Sequence, residues 1–184
     1  MDLVRACLRR GLLPLLACAC LAASQAETLA LAVKAAYLSK FPLYVEWPAA
    51  ALAPTGRELH LCVMGPDPFG ATLDAAAGGQ RVADRILVVR RLKSVSREAG
   101  CHILFIGGTD SERAQVLASL RGSGVLTITD AQGAAEGIIN FVMKDDRVRF
   151  DIDEAAAAAN GIAISAKLLN LALNVKRRPG AEAR

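Results

Sequence analysis

Aromatic residues make up only 4% of the 184-residue chain, and histidine occurs twice. With so few rings there is no aromatic-flanked basic stripe on which bases could stack, so a single-strand nucleic-acid platform is excluded. No GxGxxG, lysine-bearing phosphate loop or GxSxG elbow occurs, and neither His60 nor His102 has the neighbours of a nucleophile's base. Long apolar runs are scarce as well. The one that stands out, residues 11–23, is about a dozen residues long, short of the roughly 20 that cross a bilayer. What is abundant is ordinary core material: 53% hydrophobic residues rule out disorder, and the length suits one domain.

The formal charge of +4 is unevenly placed. Residues 1–26 carry Arg5, Arg9 and Arg10 against Asp2, and residues 176–184 carry Lys176, Arg177, Arg178 and Arg184 against Glu182. Residues 27–175 are left with a net charge of −1. A nearly neutral body argues against a DNA- or RNA-binding domain.

Arginines ahead of an apolar run that ends at Ser24-Gln25-Ala26 have the form of an export signal, with small residues at the two positions a signal peptidase reads. Cleavage after Ala26 is expected, leaving a mature chain of 158 residues. Leu15-Leu16-Ala17-Cys18 loosely fits lipoprotein processing and is the weaker alternative. The expected organisation is a signal peptide over 1–26, one α/β domain over 27–175 and a disordered basic tail over 176–184. Export removes Cys7, Cys18 and Cys20, so Cys62 and Cys101 remain. An even pair in an oxidising compartment suggests a disulfide, with free thiols or a metal site shared with His60 and His102 as the rivals. The metal reading is weak. Cys101 and His102 are sequence neighbours and would point to opposite faces of a strand.

Hydrophobic periodicity predicts a helix over 28–41 that Pro42 interrupts. Strands are expected at Leu59–Met64, Ile86–Val89, Ile103–Ile106, Val125–Ile128, Ile138–Met143 and Val148–Ile152. Helices are expected at Phe69–Ala76, Ser111–Leu120, Glu154–Ala159 and Ser165–Val175, with a short turn over Ser94–Ala99. Alternating strands and helices imply an α/β layered sandwich with a mostly parallel sheet. Lys144-Asp-Asp146 separates the last two strands tightly enough for an antiparallel hairpin, expected to close the sheet at its edge.

Two turns could present a helix N-terminus to an anion, Gly65-Pro-Asp67-Pro68 and Gly107-Gly108-Thr109-Asp110. Capping explains both more simply, with Asp67 ahead of Pro68 and with Thr109 and Glu112 at capping-box spacing. Asp67, Asp110, Thr129 and Lys144 follow successive strands in the order of a phosphoacceptor receiver. Only one acid follows the first strand where that chemistry needs a pair, and an exported chain would meet no phosphorylated kinase.

Several motifs occur in one order: Ala35-Ala-Tyr-Leu38 with Phe41, Val45-Glu46-Trp47-Pro48, Leu61-Cys-Val63 with Gly65, Asp67-Pro-Phe-Gly70 and Cys101-His-Ile-Leu-Phe-Ile106. Val125-Leu-Thr127 with Asp130, Gly137-Ile-Ile-Asn-Phe141, Val148-Arg-Phe-Asp-Ile152 and Ile164-Ser-Ala-Lys-Leu-Leu169 follow. Together they resemble the YfiR family of periplasmic proteins over nearly all of residues 35–172. The resemblance implies an inhibitor that engages the periplasmic sensor domain of a membrane-bound diguanylate cyclase, and an outer-membrane lipoprotein that sequesters the inhibitor. It implies no enzymatic activity and no cofactor, and leaves a homodimer open. It also places Cys62 and Cys101 on a cysteine pair of the family, which supports the disulfide. A second pair found in some members would fall near Glu136 and Met143, and neither position is cysteine. Pro42 is a further departure.

An inhibitor needs an exposed apolar patch and no converging titratable groups. The expected partner-binding patch is Phe150, Ile152, Glu154, Ile164 and Leu168, with core packing as the competing explanation for each. The alternative function is small-molecule binding in a crevice beyond the strand ends, where Asp67, Thr109 and Asp130 could meet a ligand.

Overall fold

A computed structural model describes residues 25–52, 55–130, 133 and 135–177. The expected signal peptide lies outside these residues except for Gln25 and Ala26, and so does the tail beyond Arg177.

Residues 25–40 form helix α1. Pro42 has no N–H to donate to the preceding turn, so the helix gives way to a 3-10 turn over Phe41–Tyr44. Strand β1 (Val45–Glu46) and the short helix α2 (Ala49–Leu52) follow. Next come β2 (Glu58–Met64), α3 (Ala71–Ala77), β3 (Arg81–Val82), β4 (Arg85–Leu92), a 3-10 turn (Arg97–Ala99), β5 (Ile103–Ile106), α4 (Asp110–Ser119) and β6 (Leu126–Thr129). The chain then forms β7 (Ile139–Lys144), β8 (Arg147–Asp153), α5 (Glu154–Ala159), β9 (Ala163–Ile164), α6 (Ala166–Leu169) and β10 (Val175–Lys176).

Eight strands make one sheet in the order β10-β8-β7-β6-β5-β2-β4-β3, and β1 pairs with β9 in a separate antiparallel ribbon. Only β7 with β8 and β3 with β4 are antiparallel in the large sheet. The layered, mostly parallel α/β architecture is therefore the observed one. The β7–β8 loop is two residues, Asp145 and Asp146, both in the left-handed region (φ 51° and 55°) as a tight hairpin matched to strand twist requires.

Strand alternation sorts side chains into two unequal layers. On one face Leu59, Leu61, Val63, Ile103, Phe105, Ile128, Phe141 and Phe150 join α1, α3 and α6 in the main core. On the other, Cys62, Met64, Leu104 and Ile106 pack with Leu120 and Val125 and the inner side of α4. The aromatics are concentrated: Tyr37, Phe41, Phe141 and Phe150 form one cluster with ring centroids 5.1–6.2 Å apart, locking α1 onto the hairpin. The smaller layer is crosslinked by the Cys62–Cys101 disulfide, whose Cα atoms are 5.8 Å apart.

The C-terminal segment departs from expectation. Ser165 caps α6 by accepting from the Leu168 N–H, but the helix stops at Leu169 instead of running to Val175. Leu173 N–H donates to the Phe150 carbonyl, and both the backbone N–H and the side-chain amide of Asn174 donate to Asp151. These bonds draw the chain to the sheet, where β10 lies parallel to β8 and takes the edge that the hairpin was expected to form. Lys176, at the head of the basic tail, is consequently ordered in a strand and ion-paired with Asp153 at 2.8 Å.

Candidate functional site

The crevice beyond the strand ends is filled by the chain itself. Gly65 and Gly107 follow β2 and β5, and their backbones touch: a Cβ on Gly65 would lie 3.2 Å from the Gly107 carbonyl, and one on Gly107 would lie 2.7 Å from the Pro66 oxygen. The three polar residues expected to meet a ligand there each have an internal partner. One Asp67 oxygen accepts from the N–H groups of Phe69 (2.8 Å) and Gly70 (3.2 Å), and the other accepts from Arg91 Nε at 2.7 Å. Burial alone would raise the Asp67 carboxyl, but the Arg91 hydrogen bond, the two backbone donors and the Arg91 charge outweigh it and hold it below the usual carboxylate range. Arg91 is held in turn by Asp74. Thr109 caps α4 in a reciprocal box with Glu112. Asp130 pairs with the buried Lys34 at 2.5 Å, fastening α1 to the end of β6. The structure thus gives these residues architectural partners and does not gather them around a shared space.

The receiver-like order dissolves in the same way. Thr129 is fully buried and donates to Asn140 Oδ1 at 2.8 Å while accepting from the Gly137 N–H. Asp110 faces Arg113, and Lys144 lies at the tip of the β7–β8 hairpin, three strands across the sheet from β2, which Asp67 follows.

The two histidines lie beneath the disulfide at the opposite end of the parallel strands. His102 is buried and its Nδ1 accepts from the His60 N–H at 3.0 Å, which fixes the ring proton on Nε2, 3.2 Å from Thr55 Oγ1. Burial, helped by the nearby charges of His60 and Arg85, pushes the His102 pKa down to about 4. His60 faces the Gly100 carbonyl and the Glu58 carboxylate. Trp47 closes the cluster, its indole N–H donating to the His102 carbonyl at 3.3 Å. Among the described residues no group of three or more His, Cys, Asp or Glu is placed to hold a metal ion.

The expected partner patch divides. Phe150 and Ile152 are 1% exposed and Leu168 is 2% exposed, all inside the main core. They are therefore core in this conformation, and cannot be contact surface without unfolding it. Ile164 in the β1–β9 ribbon and Glu154 at the start of α5 are half-buried. Large apolar side chains are exposed at Leu43, Ile86 and Leu173, and others flank α1. Leu29 is 66% exposed, Met143 49% and Leu171 52%. Two hollows open there. One, of about 820 Å³, lies between the first turns of α1 and the hairpin, and includes Leu29, Met143 and Val148. The other, of about 290 Å³, lies between the last turns of α1 and α6, and includes Tyr37, Tyr44 and Leu171. Val33 lines both. The strip was hard to read in the sequence because Leu29, Val33 and Tyr37 belong to the same periodic stripe that signals a core-facing helix.

Residues 31–173 match the YfiR/HmsC-like family. The chain belongs to that family. No curated protein matches it. Membership supports a periplasmic regulator of diguanylate cyclase signalling in a regulatory, non-catalytic family, and it implies interaction with the periplasmic domain of a cyclase. No helix among the described residues is long and apolar enough to cross a membrane.

Proposed function

We propose that the chain is an exported inhibitor that binds the periplasmic sensor region of a membrane-bound diguanylate cyclase and lowers cyclic di-GMP. The family match over residues 31–173 carries this reading. The geometry supports it: the titratable groups at the strand ends hold the fold together, whereas apolar side chains remain open on α1. Contact is made from the α1 and α6 side of the domain, with Ile164 near its border and with Phe150, Ile152 and Leu168 in the core beneath, while Glu154 lies at the start of α5. An outer-membrane lipoprotein that sequesters the inhibitor would then compete for the same protein. The proposed mature form begins after Ala26 and has no cofactor.

Deleting the gene in a strain with the partner cyclase should raise cyclic di-GMP, and the exported chain supplied in trans should restore the original level. An unchanged level on deletion would sink the proposal. Small-molecule binding at Asp67, Thr109 and Asp130 is the second reading, and a thermal-shift screen of the mature chain against amino acids and nucleotides tests it. The closed strand ends lead us to expect no shift that the Thr109→Ala or Asp130→Asn substitution abolishes.

A further inference from the structure

The smaller hollow on α1 has a chemical character that selects its occupant. Its floor is the buried pair Phe41 and Leu168, and its walls are Tyr37, Tyr44 and the half-open Leu171. The α1 residues that line it, from Val33 to Lys40, continue into the turn at Phe41 and Tyr44, so the groove follows about three helical turns, roughly 16 Å. One cation, Lys40, lines it, and a second, Lys167, stands over its Tyr44 wall. Lys40 Nζ donates to the neutral amide of Gln80 at 2.9 Å, and Lys167 Nζ sits 5.6 Å from the centroid of the Tyr44 ring, held over the wall of the groove by the ring face. No carboxylate lines the hollow, and neither lysine has an ion pair among the described residues. The larger hollow differs, because Glu27, Lys34, Asp146 and Arg147 give it both signs and it selects no charge.

We propose that the α1–α6 groove receives an amphipathic helix of the cyclase's periplasmic region, with apolar side chains one turn apart in the groove and carboxylates against Lys40 and Lys167. Its partner assignment rests on the inhibitor reading above; the chemistry of the groove stands independently of it. Anchors at i, i+3 or i+4, and i+7 span the same length as the groove. A second copy docked on this surface by a two-fold axis would bring like-charged rims together, which disfavours self-association.

The test uses the mature chain from residue 27 and two designed 18-residue amphipathic helical peptides with identical leucine anchors, one flanked by glutamates and one by lysines. Fluorescence anisotropy should show the glutamate peptide binding at least tenfold tighter. The Lys40→Glu/Lys167→Glu double variant should reverse that preference, and Leu171→Glu should weaken both peptides at least tenfold, with thermal melting of each variant close to that of the parent. Equal binding of the two peptides, or a preference that the double variant leaves unchanged, overturns the proposal. A dimer in sedimentation that Leu171→Glu converts to monomer also overturns it, by assigning the groove to a second copy. In the deletion strain the double variant, exported at the parental level, should fail to lower cyclic di-GMP; full complementation would separate the groove from the cyclase. Selective, charge-reversible peptide binding with no rise in cyclic di-GMP on deletion would remove the inhibitor reading and leave the groove chemistry standing.

Discussion

The strand ends and the outer side of α1 treat their side chains in opposite ways. At the strand ends Asp67, Thr109 and Asp130 each have an internal partner, and Gly65 and Gly107 bring two loops into backbone contact where an α/β sheet usually opens a crevice. Along α1 large apolar groups stand in water beside two hollows, with lysines at the rim of one. At the strand ends polar side chains maintain shape, and beside α1 apolar ones are left open to solvent. An open apolar surface of this kind is what a protein-binding face needs.

The sharpest way to break the contrast is at two leucines three residues apart. Leu168 is buried beneath the groove and Leu171 is open at its wall. Leu168→Asp should unfold the domain, since an uncompensated charge would enter a closed core. Circular dichroism of the purified variant should show lost structure, and a folded variant would mean that Leu168 is a surface residue after all. The disulfide is the next largest lever. Its 39-residue separation corresponds to about 4 kcal/mol in the chain-entropy model. Cys62→Ala/Cys101→Ala should lose stability of that order in urea denaturation, and the smaller of the two core layers is the one that would loosen first.

The parts of the fold legible in the sequence were those in which local pattern and tertiary environment agree. Strand β5 and helix α5 fall where periodicity placed them, and the other main strands and α4 differ by a few residues at their ends. The capping box at Thr109 and the two-residue hairpin at Asp145 were visible because each is fixed within four or five residues. The C-terminal segment was not legible. Leu168, Leu171 and Val175 have helical spacing, yet Asn174 binds Asp151 and the backbone joins the edge of β8, which is remote in sequence. Strands β1, β3 and β9 are two residues each, too short for any period to show. Part of the expected partner patch fell in the core for a related reason: Phe150 and Ile152 alternate as a half-buried strand should, and only the docking of α1 determines that their apolar face is covered.

The histidine cluster supplies a pH-dependent test of how far the polar interior is structural. His102 has a folded-state pKa near 4 against an ordinary value of about 6.5, so the folded state resists its protonation. Its contribution is fully present above pH 6.5 and is lost as the pH falls through that value towards 4. A shift of this size corresponds to about 3 kcal/mol at most. Urea midpoints measured from pH 7.5 down to 4 should fall across that window. A His102→Asn variant, less stable at neutral pH because the His60 N–H and Thr55 lose their ring partner, should show a flatter profile. An unchanged slope in the variant would assign the acid sensitivity to carboxylates elsewhere.

The smallest effects sharpen the comparison most, because they separate stability from recognition on either side of it. Thr109→Ala removes the capping hydroxyl of α4 and should cost about 1 kcal/mol in urea denaturation while leaving cyclic di-GMP control intact. Leu171→Glu on the exposed wall should change stability by no more than about 0.5 kcal/mol and yet abolish that control. If Thr109→Ala disturbs regulation at equal periplasmic abundance, the strand ends take part in recognition. If Leu171→Glu destabilises the domain as much as a buried substitution, the wall of the groove is core. The contrast between the two regions holds only when the less stable variant is the one that still works.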